Sequence, residues 1–262
     1  MSKIVGIVNL SDNSFSGDGL GISENFAAIA LERVQFLFAK GADIVDIGAQ
    51  STSYGAKIFT PEEERDILLP VLQVLKSKVD MRRISIDTFN WQNASLAIEH
   101  GVGYINDVKG GVDTKMLELI ALNKDVKYIC MFSLCIPADK AVRVKDFVQI
   151  KAWCGEIMEK LLDHGICKSQ IILDPGISFV TGPELSLELI KRISELKIFG
   201  APLFIGHSRK TFLAQFTDLP CGERDIETLM LSLKLRREGV DYIRVHNVDY
   251  HFRAFNMPDD LV

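Results

Sequence analysis

Eight short apolar runs in this sequence lead into residues that can do polar chemistry. IVGIV stops at Asn9, and DIVDI runs into GAQST, which carries Thr52. RISID ends at Asp87 with Thr88 behind it, YIND ends at Asn106 and Asp107, and IILDP carries Asp174. PLFIG leads into HSRK, with Ser208, Arg209 and Lys210, and YIRVH carries Arg244 and His246. Only YICMF ends apolar, at Met131 and Phe132. Any one of these ends has a plain explanation, because Asp or Asn after a strand often caps the next helix. For Asp107 and Asn247 that structural reading is the better one. As a set they suggest more. Asp87, Asn106 and Asp174 together with Lys210 could hydrogen-bond a flat heterocycle carrying several ring N–H groups and an exocyclic amine. Arg244 and His246 supply positive charge, and the Asn9 amide can ligate a metal or the counter-ion of an anion. Two such subsites side by side suit a polar ring carrying a phosphate-type leaving group.

The chemistry works only if one architecture brings the eight ends together. Apolar, β-branched runs without polar alternation suit strands buried on both faces, as in parallel sheets. Between them lie stretches of helical periodicity. Residues 23–40 place Phe26, Ile29, Ala30, Val34 and Phe38 on one face, with Ser23 as N-cap and Gly41 just past the end. TPEEERDILLPVLQVL opens with Thr60 as N-cap, Pro61 at the first helical position and acids in the first turn. Pro70 is expected to bend or divide that helix. Eight βα units in 262 residues fit an α/β fold of the (β/α)8 TIM-barrel type, a single domain over residues 1–262. A doubly wound open sheet is the runner-up, but it usually has fewer strands, and no G-x-G-x-x-G follows the first run. In a barrel, the C-terminal strand ends form the active-site mouth. Residues 11–19, SDNSFSGDG, then read as a polar lid with Phe15 as its apolar tip.

Composition narrows the partners. Hydrophobic residues make up 47% and charged residues 25%, and the formal charge is −5. That balance argues against a nucleic-acid or anionic-membrane binder, whose footprint would be basic. The five cysteines, Cys130, Cys135, Cys154, Cys167 and Cys221, contain no CxxC pair and read as reduced thiols in a cytoplasmic protein. No signal-peptide pattern opens the chain, and no apolar stretch approaches the roughly 18–20 residues that span a bilayer. His207 reads as a packing residue behind the site. His100, His164 and His251 read as structural or solvated residues near helix ends.

GIVNLSDNSFSGDG, DIVDIGAQSTSYGA, ISIDT, GVGYINDVKGG, ILDPGISF, IGHSRKTFL, GERDIET and YIRVHNV stand in the order and spacing of the dihydropteroate synthases. The chain resembles that family from Ile4 to about Asn256. The resemblance implies a (β/α)8 barrel that condenses 6-hydroxymethyl-7,8-dihydropterin diphosphate with 4-aminobenzoate, releasing pyrophosphate with Mg²⁺ present. It implies that Asp87, Asn106, Asp174 and Lys210 hold the pterin ring, with Met131 and Phe179 as walls. Asn9, Arg244 and His246 would bind the diphosphate and its Mg²⁺, and Thr52 and Ser208 would lie near the aminobenzoate. Asn9, Lys210, Arg244 and His246 are the catalytic candidates. Family members are commonly homodimers through their last helices.

The sequence also departs from the family pattern. The second loop reads GAQSTSYGA where GGESTRPGA is usual, so Ser53 and Tyr54 replace Arg-Pro. Asp12 and Asn13 replace Pro-Asp, Phe132 replaces a His, and Ser178, Phe179, Val180 and Thr181 replace GFGK. Two cations are lost, each able to give a charge-assisted contact of about 1.5–3 kcal/mol. Lys57 or Arg209 is the expected stand-in. The competing readings are a pterin-binding paralogue with weakened catalysis and a regulatory or partner role, and a methyltetrahydrofolate-dependent methyltransferase.

Overall fold

The computed structural model describes residues 2–11, 19–20, 25–52, 55–139 and 142–258. Along them, strands and helices alternate: β1 (Lys3–Asn9), α1 (Phe26–Ala39), β2 (Ile44–Gly48), α2 (Pro61–Leu75), β3 (Ile84–Asp87), α3 (Trp91–Glu99), β4 (Tyr104–Asp107) and α4 (Thr114–Leu122). There follow β5 (Lys127–Met131), α5 (Phe147–Asp163), β6 (Ile171–Asp174), α6 (Pro183–Arg192), β7 (Phe204–Ile205), α7 (Asp225–Arg237), β8 (Tyr242–Val245) and α8 (Val248–Phe255). The strands pair in the order β6-β5-β4-β3-β2-β1-β8-β7. A single parallel bridge, Leu173 to Leu203, with Leu173 N–H donating to the Pro202 carbonyl at 2.9 Å, brings β6 to β7 and all but closes the sheet. The expected single-domain (β/α)8 barrel is the fold that forms.

The absence of alternation in the apolar runs has its reason here. Every residue of β2, β4 and β6 is buried, because one face fills the barrel and the other packs under helices. Val5, Ile44, Tyr104, Ile129, Ile172, Phe204 and Tyr242 form an apolar floor of their own, separate from the larger core between sheet and helices. Tyr104 meets Tyr242 edge-on, with ring centroids 6.3 Å apart.

Helix α2 starts as its sequence predicts. The Glu63 N–H donates to Thr60 Oγ1 at 3.2 Å, and the Thr60 N–H donates to Glu63 Oε2 at 2.9 Å. This reciprocal capping box satisfies two backbone donors that the helix itself cannot. Thr60→Ala should therefore lower stability by about 1 kcal/mol, read by chemical denaturation. Pro70 does not divide the helix, which runs on to Leu75. The missing N–H leaves the carbonyl of exposed Asp66 free to turn to water, while burial of Ile67, Leu68, Val71, Leu72 and Leu75 holds the turns around it. Helix α1 is described from Phe26, with Asn25 as its N-cap; Ser23, expected to cap it, lies outside the described residues. Gly41 follows α1 with φ +99°, as a helix stop requires.

The histidines separate by position. His100 and His164 cap the ends of α3 and α5, each with Nδ1 2.8 Å from a carbonyl four residues back. His251 instead lies within α8 and is buried. It shares a buried network with His207: Ser232 Oγ is 3.0 Å from His207 Nε2 and 2.8 Å from His251 Nε2. Burial pushes His207 down to about 3 and His251 to about 4, so both are neutral links between the β7 loop, α7 and α8.

Candidate active site

Paired residues in a parallel ladder share a face, and side chains alternate along each strand. Asp46, Asn106, Met131, Asp174 and Arg244 each lie two residues beyond a floor residue, so all five point into the barrel one layer higher. Asp87 joins them through its ladder partner Asn106, and Gly48 lies beside it. Five strands thus supply one polar layer at the C-terminal mouth, and β5 adds the apolar Met131 beside it.

Arg244 is its centre. Its Nε lies 2.7 Å from Asp46 Oδ2 and its Nη2 3.2 Å from Asp87 Oδ2. Asn106 Nδ2 also donates to Asp46 Oδ2, at 3.0 Å. Burial works against the guanidinium charge, but Asp46 and Asp87 outweigh it and hold the group protonated. Asp46 was not among the residues expected from sequence. Its signal was a single carboxylate at an inward position of an otherwise apolar strand, and it is fully buried.

The other charges are set by burial as well. Burial, reinforced by the neighbouring charge of Asp46, raises the Asp87 carboxyl to about 7. Burial raises Asp174 to about 6, against the pull of Lys210 and of the Gly176 N–H, which donates to Asp174 Oδ1 at 2.9 Å. Burial lowers Lys210 to about 8 while Asp174 opposes the shift, and Lys210 Nζ donates to the Ile177 carbonyl at 2.6 Å. Such shifts gather where chemistry is done. The acceptors are not used up: Asp46 Oδ1 and Asn106 Oδ1 are buried with no partner among the described residues.

Beside this layer stands an apolar wall. Phe89, Val108 and Met131 cluster there, with Ile58, Ile136 and Phe179 against them. Met131 and Phe179, both expected from sequence, meet in it; Phe89 and Val108 were not foreseen, although each follows a polar strand end by one or two residues. On the other side, Ser208 Oγ lies 2.8 Å from His246 Nδ1, which ties the β7 loop to the end of β8. Asn9 ends β1 half-buried on the inward face, opposite Gly48. Thr52 is half-buried in the second loop, its carbonyl accepting from the Ala138 N–H at 2.9 Å. Among the described residues, the non-glycine residues with left-handed backbone, Ser178 (φ 60°) and Arg209 (φ 60°), both lie in mouth loops, where strain of this kind tends to accumulate.

Two neighbours of the site are structural, as expected. Asp107 accepts from the Lys109 and Gly111 N–H groups and from the Tyr128 hydroxyl at 2.5 Å, on the outer side of the barrel. Asn247 Oδ1 accepts from the Tyr250 N–H and caps α8. The Cys130 thiol is pushed well up by burial, which makes it inert.

A polar barrel mouth of this kind has known relatives. The family described as pterin binding enzyme matches residues 5–246. The type-3 dihydropteroate synthase of Escherichia coli is 34% identical, over 95% of this chain and 95% of that protein. The chain belongs to the dihydropteroate synthase family. The crystal structure of dihydropteroate synthase from Anaplasma phagocytophilum, with bound 6-hydroxymethylpterin-monophosphate, superposes with a TM-score of 0.86 at 33% identity, covering 100% of this chain and 99% of that one. A folate synthesis bifunctional protein of Chlamydia caviae is 32% identical over 97% of this chain, but the match spans only 58% of that longer protein.

Membership in the dihydropteroate synthase family gives the altered positions a reference. Asp12, Asn13, Phe15, Ser53 and Tyr54, and with them most of the expected lid, lie outside the described residues. Phe132 turns away from the mouth and stacks on Trp153, with ring centroids 4.7 Å apart. Val180 and Thr181 are buried beneath the β6 loop, where Thr181 Oγ1 accepts from the Ser178 N–H at 2.8 Å. Arg143 Nη1 donates to the Thr181 carbonyl at 2.8 Å, so a guanidinium from another loop reaches the position that lost its lysine. The expected stand-ins are otherwise engaged. Lys57 Nζ pairs with Glu63 at 2.8 Å, and Arg209 pairs with Asp225 at 2.7 Å.

Proposed function

We propose that the protein is a dihydropteroate synthase, which joins 6-hydroxymethyl-7,8-dihydropterin diphosphate to 4-aminobenzoate and releases pyrophosphate. The observation that carries this reading is the polar layer itself, where Asp46 Oδ1 and Asn106 Oδ1 are buried with no partner among the described residues, beside the carboxylates of Asp87 and Asp174. Such a layer is made for a ligand that brings ring N–H groups and an exocyclic amine. The pterin ligand in the Anaplasma phagocytophilum enzyme has that character. The chain spans little more than half the length of the bifunctional relatives it matches, so the reading covers only the synthase reaction.

In this reading Asp87, Asn106 and Asp174 accept from the ring, and Lys210 donates to it. Met131 and Phe179 flank the ring, and burial strengthens each of these bonds. Arg244, His246 and Asn9 face the diphosphate, and Thr52 and Ser208 lie near the aminobenzoate. The bond from the pterin CH₂ carbon to the bridging phosphate oxygen breaks, and its electron pair leaves with pyrophosphate. The amine lone pair forms the new C–N bond, and one amine proton passes to solvent. Arg244 favours this step because its fixed positive charge meets the negative charge that grows on the leaving group.

The donor set at the rim fits a metal ion that arrives with the substrate. Among the described residues no group of three or more His, Cys, Asp or Glu side chains could hold an ion by itself, and Asn9 would supply one neutral oxygen at the rim. Mg²⁺ takes few protein ligands when phosphates are present, and held by Asn9 and the diphosphate it would neutralise the leaving group.

The cysteines form no disulfides with one another, which suits a reducing compartment, and we place the protein in the cytoplasm. Ile226 and Met230 on α7 and Phe252 on α8 are exposed apolar side chains, which supports a homodimer across these helices.

The test is a coupled pyrophosphate-release assay. Release should require both 4-aminobenzoate and Mg²⁺ and should stop on chelation. Pterin binding without release would instead identify the weakened paralogue.

A further inference from the structure

One carboxylate behind the mouth is used more heavily than its place in the sequence suggests. In the run Glu62, Glu63, Glu64 at the start of α2, the first two are exposed and Glu64 is fully buried. Its Oε2 accepts three hydrogen bonds: from Thr88 Oγ1 at 2.8 Å, Asn90 Nδ2 at 2.8 Å and Asn93 Nδ2 at 2.6 Å. Thr88 and Asn90 belong to the turn from β3 into α3, and Asn93 to the first turn of that helix. None is a cation, so the charge of Glu64 is held by hydrogen bonds and by the positive N-terminal ends of α2 and α3.

That turn begins at Asp87, the carboxylate beside Arg244, and it carries Phe89 of the apolar wall. The Thr88 N–H donates to the Asn106 carbonyl at 3.0 Å, which joins the turn to the next strand. Just before α2, the second loop is folded onto the start of the helix, since Gln50 Oε1 accepts from the Phe59 N–H, next to the Thr60 cap, at 2.9 Å. Glu64 is therefore the point where the second-loop helix and the turn behind Asp87 are clamped together.

We infer that Glu64 is a positioning residue for the pterin subsite: its buried carboxylate fixes the turn that aims Asp87 and Phe89 at the ring and couples that turn to the second loop. The inference rests on the synthase reading for its substrate. Its charge also acts at a distance, because Glu64 adds to the field of Asp46 and Asp107 that raises the Asp87 carboxyl, against the opposing charge of Arg244.

The test compares Glu64→Gln with wild type and with Glu62→Gln, an exposed control on the same turn, in the full chain. Steady-state kinetics would use 6-hydroxymethyl-7,8-dihydropterin diphosphate and 4-aminobenzoate across pH. Glutamine keeps an acceptor for the three donors but removes the charge and buries an amide without a partner. Glu64→Gln should lower kcat/KM for the pterin substrate about tenfold, leave the KM for 4-aminobenzoate within about twofold, and move the acidic limb to lower pH. Glu62→Gln should match wild type. An unmoved acidic limb, or equal effects on the two substrates, would make Glu64 merely a structural residue and overturn the inference. If Glu64→Gln does not fold, Asn90→Ala removes one of the three donors and is judged by the substrate split alone. A wild type with no activity would count against the synthase reading. In that case binding of 6-hydroxymethylpterin, followed by its fluorescence, replaces turnover, and Glu64→Gln must weaken it for the inference to stand.

Discussion

Arg244→Ala is expected to reduce kcat/KM by about a thousandfold or more and to lower stability by about 3 kcal/mol. Both effects have the same cause. The guanidinium lies 2.7 Å from Asp46 and 3.2 Å from Asp87, and Asp46 is fully buried. Taking away the cation leaves a buried carboxylate with only an Asn106 amide for support. A second carboxylate, Asp87, is already pushed up to about 7 with Arg244 present, and it should rise further. Thermal unfolding and steady-state kinetics on the same sample separate the two effects. Arg244→Lys sharpens the test. A lysine restores the charge but cannot span both carboxylates with a planar fork, so stability should recover further than turnover. A variant with alanine at this position that keeps wild-type turnover would remove Arg244 from the mechanism.

Asp87→Asn should act in opposite directions on function and stability. The folded protein holds the Asp87 proton up to about pH 7, against 3.8 for an ordinary aspartate. Between those values the native state binds more protons than the unfolded state, so this group's contribution to stability falls as pH rises. Above pH 7 the full cost of ionising a desolvated carboxylate is present. Asp87→Asn should therefore be more stable than wild type at pH 8, by about 2 kcal/mol, and the gain should vanish near pH 4. Its kcat/KM should fall about a hundredfold, because a neutral amide accepts ring N–H groups more weakly than a carboxylate. In wild type, kcat/KM should be bell-shaped in pH. The acidic limb follows the coupled ionisation of Asp174 near 6 and Asp87 near 7, and the alkaline limb follows loss of the Lys210 proton near 8. A variant less stable than wild type at pH 8 would contradict the account of Asp87 as a desolvated, costly acceptor.

Much of this arrangement was legible in the sequence because the barrel enforces it. Strand ends such as Asn9, Asp87, Asn106 and Asp174 stand at the mouth once each run is read as a doubly buried strand. Side chains that act one layer deeper were harder to find. Asp46 sits inside DIVDI and becomes visible only when the strand is split into its two faces, where it follows Ile44 by two positions. Glu64 was hidden in an acid run that reads as a favourable helix start. Its signal was positional: Ile67 and Leu68 lie three and four residues on, so Glu64 shares their buried face. The fate of Phe132 follows from the same division of a strand into two faces. It stands at a strand end but stacks on Trp153 outside the barrel, since β5 turns Ile129 and Met131 inward and its successor outward. Pro70 shows the converse. A local helix breaker was overruled by the burial of the residues around it.

The central claim is that the polar layer around Arg244 binds a pterin ring through buried carboxylates. Calorimetric titration of 6-hydroxymethyl-7,8-dihydropterin diphosphate into wild type and into Asp174→Ala tests it most directly. The account predicts one saturable site in wild type and affinity at least about tenfold weaker in the variant. No saturable binding, or equal binding by the two proteins, would contradict it.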